Sequence, residues 1–292
     1  MNITLPSIAR HALRAWAVAA LLGIPVAQAF TCSVSVTSIV TAYSPTVAGD
    51  NVTTGSYSIT CTRAGGDAAT LNWSLGADNG THAAGAQNRV QLGATANRYN
   101  YEAYRVSTYV NANRWQDAAA TRFSGTLSFG AVGSSASTTA VFYLRLPGSQ
   151  AVRPAGTYTD TVGVTLRNSG TLATLATGSF GVTVITTANC QFSTFPSNIS
   201  FNYTSFQAGL VSASTPFGVQ CTTGLPYTLA FDAASSVLLG LTYTLSLSAS
   251  SGTGNGTPQA FTATGQIAGG QAGSCATATC SGSETRTLII SY

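Results

Sequence analysis

Lysine is absent from this 292-residue chain, and charged residues make up only 7% of it, against about 25% in an ordinary soluble domain. A helical bundle draws its surface from Lys, Glu and Gln, so that fold class is excluded. Disorder is excluded as well, because 45% of the residues are apolar and a disordered chain combines low hydrophobicity with high net charge. Histidine is almost missing, with only His11 and His82. A Ser-His-Asp arrangement or a zinc site would have to be built around one histidine in a Gly/Ala-rich stretch. No G-x-S-x-G elbow is present. The eight acidic residues are scattered, which leaves no evident carboxylate pair for glycoside hydrolysis. No enzyme, metal or cofactor is therefore expected. No arginine cluster is dense enough to follow a phosphate backbone, so no nucleic acid partner is expected either. Beyond the N-terminus, no stretch approaches the roughly 20 apolar residues of a transmembrane helix.

What the chain has in place of charge is Thr, Ser, Asn and 30 Gly residues. Arg10, His11 and Arg14, the apolar run Ala15 to Val26, and Ala27-Gln28-Ala29 have the order of a secretory signal peptide covering residues 1–29. Cleavage after Ala29 leaves 263 residues destined for an oxidising compartment. These carry six cysteines, for which 15 pairings exist. Spacing suggests one feature used twice: Cys32 and Cys61 enclose 28 residues, and Cys190 and Cys221 enclose 30. Cys275 and Cys280 are then left to each other. Short runs with period-two alternation, separated by Gly, Asn and Pro, point to an all-β sandwich protein. Examples are Ser33 to Ile39, Leu71 to Leu75, Thr161 to Leu166, Phe217 to Cys221 and Thr287 to Tyr292. Trp73 sits on the apolar phase of its run and is expected in the core.

The pattern repeats. Each half opens with a cysteine pair, and each has a later strand introduced by glycine, Gly156 to Leu166 and Gly282 to Tyr292. After Leu166 a further strand is available around Phe180 to Ile185; after Tyr292 the given sequence has none. The expected organisation is an N-terminal unit over residues 30–187 and a C-terminal unit over residues 188–292 that lacks its final strand.

The residues Cys32, Tyr99-Asn-Tyr-Glu-Ala-Tyr-Arg105, Phe142-Tyr-Leu-Arg-Leu146 and the Pro154-Ala-Gly-Thr-Tyr-Thr-Asp160 turn resemble a spore coat protein U domain. Asn189-Cys190, Phe201-Asn-Tyr203, Cys221 and Cys275 to Cys280 resemble a second one that lacks the Pro-Ala-Gly turn. That family includes subunits of archaic chaperone–usher pili, so the resemblance implies two immunoglobulin-like, pilin-like β-sandwich domains, the C-terminal one lacking its final strand. The resemblance implies donor-strand complementation: a partner's extended N-terminal arm fills the groove of an incomplete sandwich by main-chain pairing and alternating apolar side chains. It also implies a periplasmic chaperone, an outer-membrane usher and a neighbouring subunit as partners.

Two sets of site residues follow. Leu288, Ile290 and Tyr292 fall on one face of the last strand by alternation and are expected to line the chaperone and donor-strand groove. Tyr109 and Trp115, two aromatics among turn formers, are candidates for contact with a surface, with burial over the sandwich as the competing reading. Only Phe30 and Thr31 would precede Cys32 after cleavage, too short for a donor arm. A tip subunit mediating attachment and biofilm formation, exported to the periplasm and then the cell surface, is therefore expected. A shaft pilin and a secreted coat protein are the alternatives.

Overall fold

The computed structural model describes residues 30–292; the expected signal peptide lies outside the described residues. The chain is all-β. Its first ten strands are β1 (Thr31–Val36), β2 (Ile39–Ala42), β3 (Asn51–Thr62), β4 (Thr70–Ala77), β5 (Asn88–Leu92), β6 (Arg98–Tyr104), β7 (Phe123–Ser128), β8 (Ser135–Leu146), β9 (Gly156–Asn168) and β10 (Thr174–Thr186). The other eight are β11 (Cys190–Thr194), β12 (Val211–Cys221), β13 (Pro226–Phe231), β14 (Ser235–Leu238), β15 (Leu241–Leu247), β16 (Ser251–Thr253), β17 (Gln259–Ile267) and β18 (Leu288–Ser291). Among the described residues the only helical segments are two single 3-10 turns, Asn111–Asn113 and Ala119–Thr121. None is long and apolar enough to cross a membrane.

In the first unit, β1, β3, β8 and β6 form one face and β5, β9, β10, β2, β4 and β7 the other. β6 belongs to both, pairing β8 through Glu102–Tyr104 and β5 through Arg98–Tyr101. The run from Ser33 to Ile39, which alternates without interruption in the sequence, is two strands in the structure. The chain leaves the first face at Thr37-Ser38 and enters the second as β2. Thr37 exchanges hydrogen bonds with Ser56 through its N–H (2.9 Å) and its Oγ1 (2.8 Å), and Ser38 Oγ accepts from the Gly181 N–H at 3.0 Å. β2 then pairs in parallel with β10, which is antiparallel to β9 on its other side. The unit's own last strand, β10, thus closes it, with Phe180, Val182 and Val184 buried.

The inward phases of these strands meet in one core. At its centre is Trp115, from the long β6–β7 connection. It lies near Phe123, Phe142, Phe180 and Tyr57, and its indole N–H donates to Leu75 O at 3.0 Å. Trp73 is buried in the same core. One polar cluster interrupts it. Buried Asp160 accepts from Tyr101 Oη (2.7 Å), Thr81 Oγ1 (2.7 Å) and His82 N–H (3.1 Å), and lies 3.1 Å from His82 Nδ1. Burial first, and the Asp160 charge second, push the Tyr101 hydroxyl far above its ordinary pKa. His82 therefore serves a loop anchor.

The second unit reuses the layout with fewer parts. β11, β12 and β17 repeat β1, β3 and β8, and β16, β13 and β18 repeat β7, β4 and β9. β14 and β15 extend the first of these sheets. Bridges Cys32–Cys61 and Cys190–Cys221 cross-link the equivalent pairs β1–β3 and β11–β12, and Cys275–Cys280 closes a small loop ahead of β18. Among the described residues there is no counterpart of β10.

Candidate functional site

The place that β10 fills in the first unit is flanked in the second by two unpaired edges. One is β18, which pairs on one side with β13, from Phe231↔Leu288 to Thr228↔Ser291, and with no described residue on the other. The other is the stretch of residues 198–203, at the position of β2. It is extended, with Ile199, Phe201 and Tyr203 turned inward and Ser200 and Asn202 outward. Its ends are fixed: Ser197 N–H donates to Thr215 Oγ1 at 2.8 Å, and Tyr203 Oη accepts from the Gln271 N–H at 2.8 Å. Between those ends, no backbone group of residues 198–203 has a hydrogen-bond partner among the described residues. Gly265 lets this stretch lie close to β17, since a Cβ there would stand 2.5 Å from the Phe201 ring.

The core between these edges is thin. Six side chains are fully buried, Phe217, Val219, Cys221, Tyr227, Leu229 and Ala263. Phe192, Ile199, Phe231, Phe261, Leu288 and Ile290 pack against them while still partly exposed. Phe195 is 75% exposed next to Phe192. An open backbone edge beside a half-covered apolar face is the arrangement that accepts an extended strand. It gives such a strand main-chain partners on both sides and a place for every second side chain.

Leu288 and Ile290 share the inward face of β18. Tyr292 does not join them. The strand ends at Ser291, so its alternation stops there; Tyr292 is 60% exposed and its hydroxyl donates to Asn189 Oδ1 at 3.3 Å, beside the joint between the units. That joint holds two clefts of about 290 and 530 Å³, lined by Thr, Gln and Asn side chains with Pro45, Val152 and Arg153. They are separate from the apolar edge and offer no cluster of chemically reactive groups.

The adhesive candidates are also corrected. Trp115 is 2% exposed and serves as a central core residue, so it presents nothing to a surface. Tyr109 is half-buried, edge-on to Tyr104 at 5.3 Å and under the Arg145 guanidinium. Exposed apolar side chains are spread over the chain, and two of them stand at the end of the first unit farthest from the joint. Strand β9 leaves the joint at Gly156 and reaches its far turn thirteen residues later, roughly 40 Å away at about 3.3 Å per residue. That turn carries Leu172, 60% exposed at φ 59°, a left-handed conformation costly for leucine. The β7–β8 turn carries Val132, 59% exposed. It is stitched to the β3–β4 loop by Arg63 and Ser134 (3.0 Å) and by Gly133 and Arg63 (2.8 Å). Lone apolar residues in Gly/Ser turns have no period, which is why sequence alternation did not single them out.

Residues 18–165 match the family model described as Spore Coat Protein U domain. No curated protein matches the chain. Among solved structures it is similar to the CsuC–CsuE chaperone–tip adhesion subunit pre-assembly complex from archaic chaperone–usher Csu pili of Acinetobacter baumannii. That match has 15% identity over 89% of this chain and 99% of the other, with a TM-score of 0.47. The CssB subunit of enterotoxigenic Escherichia coli, complemented with a donor strand from CssA, matches at 15% identity over 53% of this chain and 97% of its own, with a TM-score of 0.28. The CupB6 tip adhesin of Pseudomonas aeruginosa matches at 12% identity over 54% and 43%, with a TM-score of 0.32.

Proposed function

The chain belongs to the spore coat protein U domain family, a family of structural, non-enzymatic proteins, and on that premise we propose that it is the end subunit of a chaperone–usher pilus. Its second unit takes a strand from the neighbouring subunit, and its first unit makes the outward contact. The observation that carries this reading is the contrast between the units. The first closes itself with β10, while in the second β18 and residues 198–203 have no partner among the described residues on their facing edges and lie over a partly exposed core. A closed unit joined to an open one has one side for a shaft and one for the environment. The exposed Leu172 and Val132, at the end away from the joint, support surface attachment there.

In this reading residues 1–29 direct export, and a periplasmic chaperone covers the open edge until an outer-membrane usher exchanges it for the next subunit's N-terminal arm. The units divide near residues 187 and 188, and the attached cell gains the ability to start a biofilm. Electron microscopy of intact pili with gold-labelled antibody against residues 30–187 tests the assignment. Gold at filament ends supports it, and gold spaced along the shaft overturns it.

A further inference from the structure

The second unit holds only three charged side chains, Asp232, Glu284 and Arg286, and the structure brings all three together immediately before β18. Arg286 Nε donates to Tyr243 Oη at 2.8 Å, its Nη2 pairs with Glu284, and its Nη1 lies 3.9 Å from Asp232 Oδ2. Tyr243 Oη donates to Glu284 Oε2 at 2.9 Å, and Ser236 Oγ donates to Glu284 Oε1 at 3.1 Å. The Asp232 N–H donates to Thr287 O at 2.9 Å, adding one rung to the β13–β18 ladder. Tyr243 and Ser236 belong to β15 and β14 on one sheet, whereas Asp232 follows β13 on the other. The cluster therefore ties the lead-in of β18 to both sheets at once.

β18 needs such a tie. It is four residues long, has a ladder on one side only, and follows twenty residues (268–287) without a strand. A one-residue slip along β13 would turn Leu288 and Ile290 out of the core and Ile289 and Ser291 into it. Nothing in a four-rung ladder alone prevents that. We propose that Arg286, with Glu284, Asp232 and Tyr243, is a positioning lock that holds β18 in register while its outer edge is bare, and so sets how tightly the edge captures an incoming strand. The lock rests on the acceptor-edge reading of β18 for its purpose, though not for its existence.

Hydrogen exchange on the full chain, combined with binding of a synthetic peptide of residues 174–186, separates the two. In Arg286→Gln, the Ile289 and Ser291 amides, which face β13, should exchange at least tenfold faster, first-unit protection should be unchanged, and peptide affinity should drop about tenfold. Glu284→Gln keeps only one of the two oxygens that Tyr243 and Ser236 use and loses the charge facing Arg286, so it should fall between wild type and Arg286→Gln, as should Arg286→Lys, without the planar fork. Unchanged β18 exchange in Arg286→Gln, or unchanged affinity despite faster exchange, overturns the lock. If the wild-type chain takes up no peptide, the acceptor reading falls, and the exchange rates still decide the lock.

Discussion

Replacing Trp115 with alanine separates its two possible roles, adhesive anchor or core residue. The ring is 2% exposed, lies parallel to Phe180 at 5.8 Å and tilted against Phe142 at 5.0 Å, and satisfies Leu75 O. Emptying such a site costs about 3–5 kcal/mol, combining lost transfer energy and the cavity left behind. For a unit of this size, each kcal/mol lowers the melting temperature by about 2–4 °C, so Trp115→Ala should melt roughly 10–15 °C lower. Scanning calorimetry of the full chain measures this, alongside retention on hydrophobic beads at a temperature where the variant remains folded. Attachment should then match wild type. Lost attachment with an unshifted melt would refute the core placement.

The outer loops should behave oppositely. Leu172→Asp with Val132→Asp should abolish bead retention while changing stability by no more than about 0.5 kcal/mol, as usual for exposed positions. Leu172→Gly should keep or slightly raise stability, because glycine accepts the φ of 59° without strain, and yet weaken retention. Alkali should unfold the first unit. Burial pushes the Tyr57 hydroxyl up to about 12 and also raises Tyr99, Tyr101 and Tyr158. A tyrosine whose folded pKa exceeds its unfolded value near 10 contributes stability that is complete below pH 10 and lost as pH rises through the folded value. The tyrosinate absorbance of these four side chains at about 295 nm should therefore appear together with unfolding above pH ~11; their ionisation near pH 10 in the folded chain would contradict the burial. Removing Cys190–Cys221 deletes a cross-link across 31 residues, worth about 3–4 kcal/mol by loop closure. The thin second core should not survive that loss, whereas the first unit should survive removal of Cys32–Cys61, as two-transition melting curves would record.

The sequence carried the architecture well because alternation and the repeated cysteine spacing report directly on sheets with one buried face. Its failures have local causes. The break at Thr37-Ser38 was hidden because small polar residues keep the alternating phase while the chain changes sheets. Tyr292 continued the phase of Leu288 and Ile290 on paper, but the ladder that enforces it ends at Ser291. Trp115 stood among turn formers, and only the fold reveals that its loop turns inward to fill the gap between β6 and β4. The charged cluster joins Asp232 to Arg286 across more than fifty positions, a closeness that no local pattern encodes.

Among the described residues the second sandwich is one strand short of the first, and supplying that strand within the same chain is the sharpest check. Appending a copy of residues 169–186, the far turn and β10, after Tyr292 offers β18 the partner that β9 has. The second unit should become more stable, by up to about 5 kcal/mol if the copies of Phe180, Val182 and Val184 are buried. The β18 amides should gain strong new protection against hydrogen exchange, and peptide uptake should be lost. An unchanged second melting transition, with β18 amides already protected as fully as those of β9 in the unmodified chain, would show that β18 has no open edge to fill.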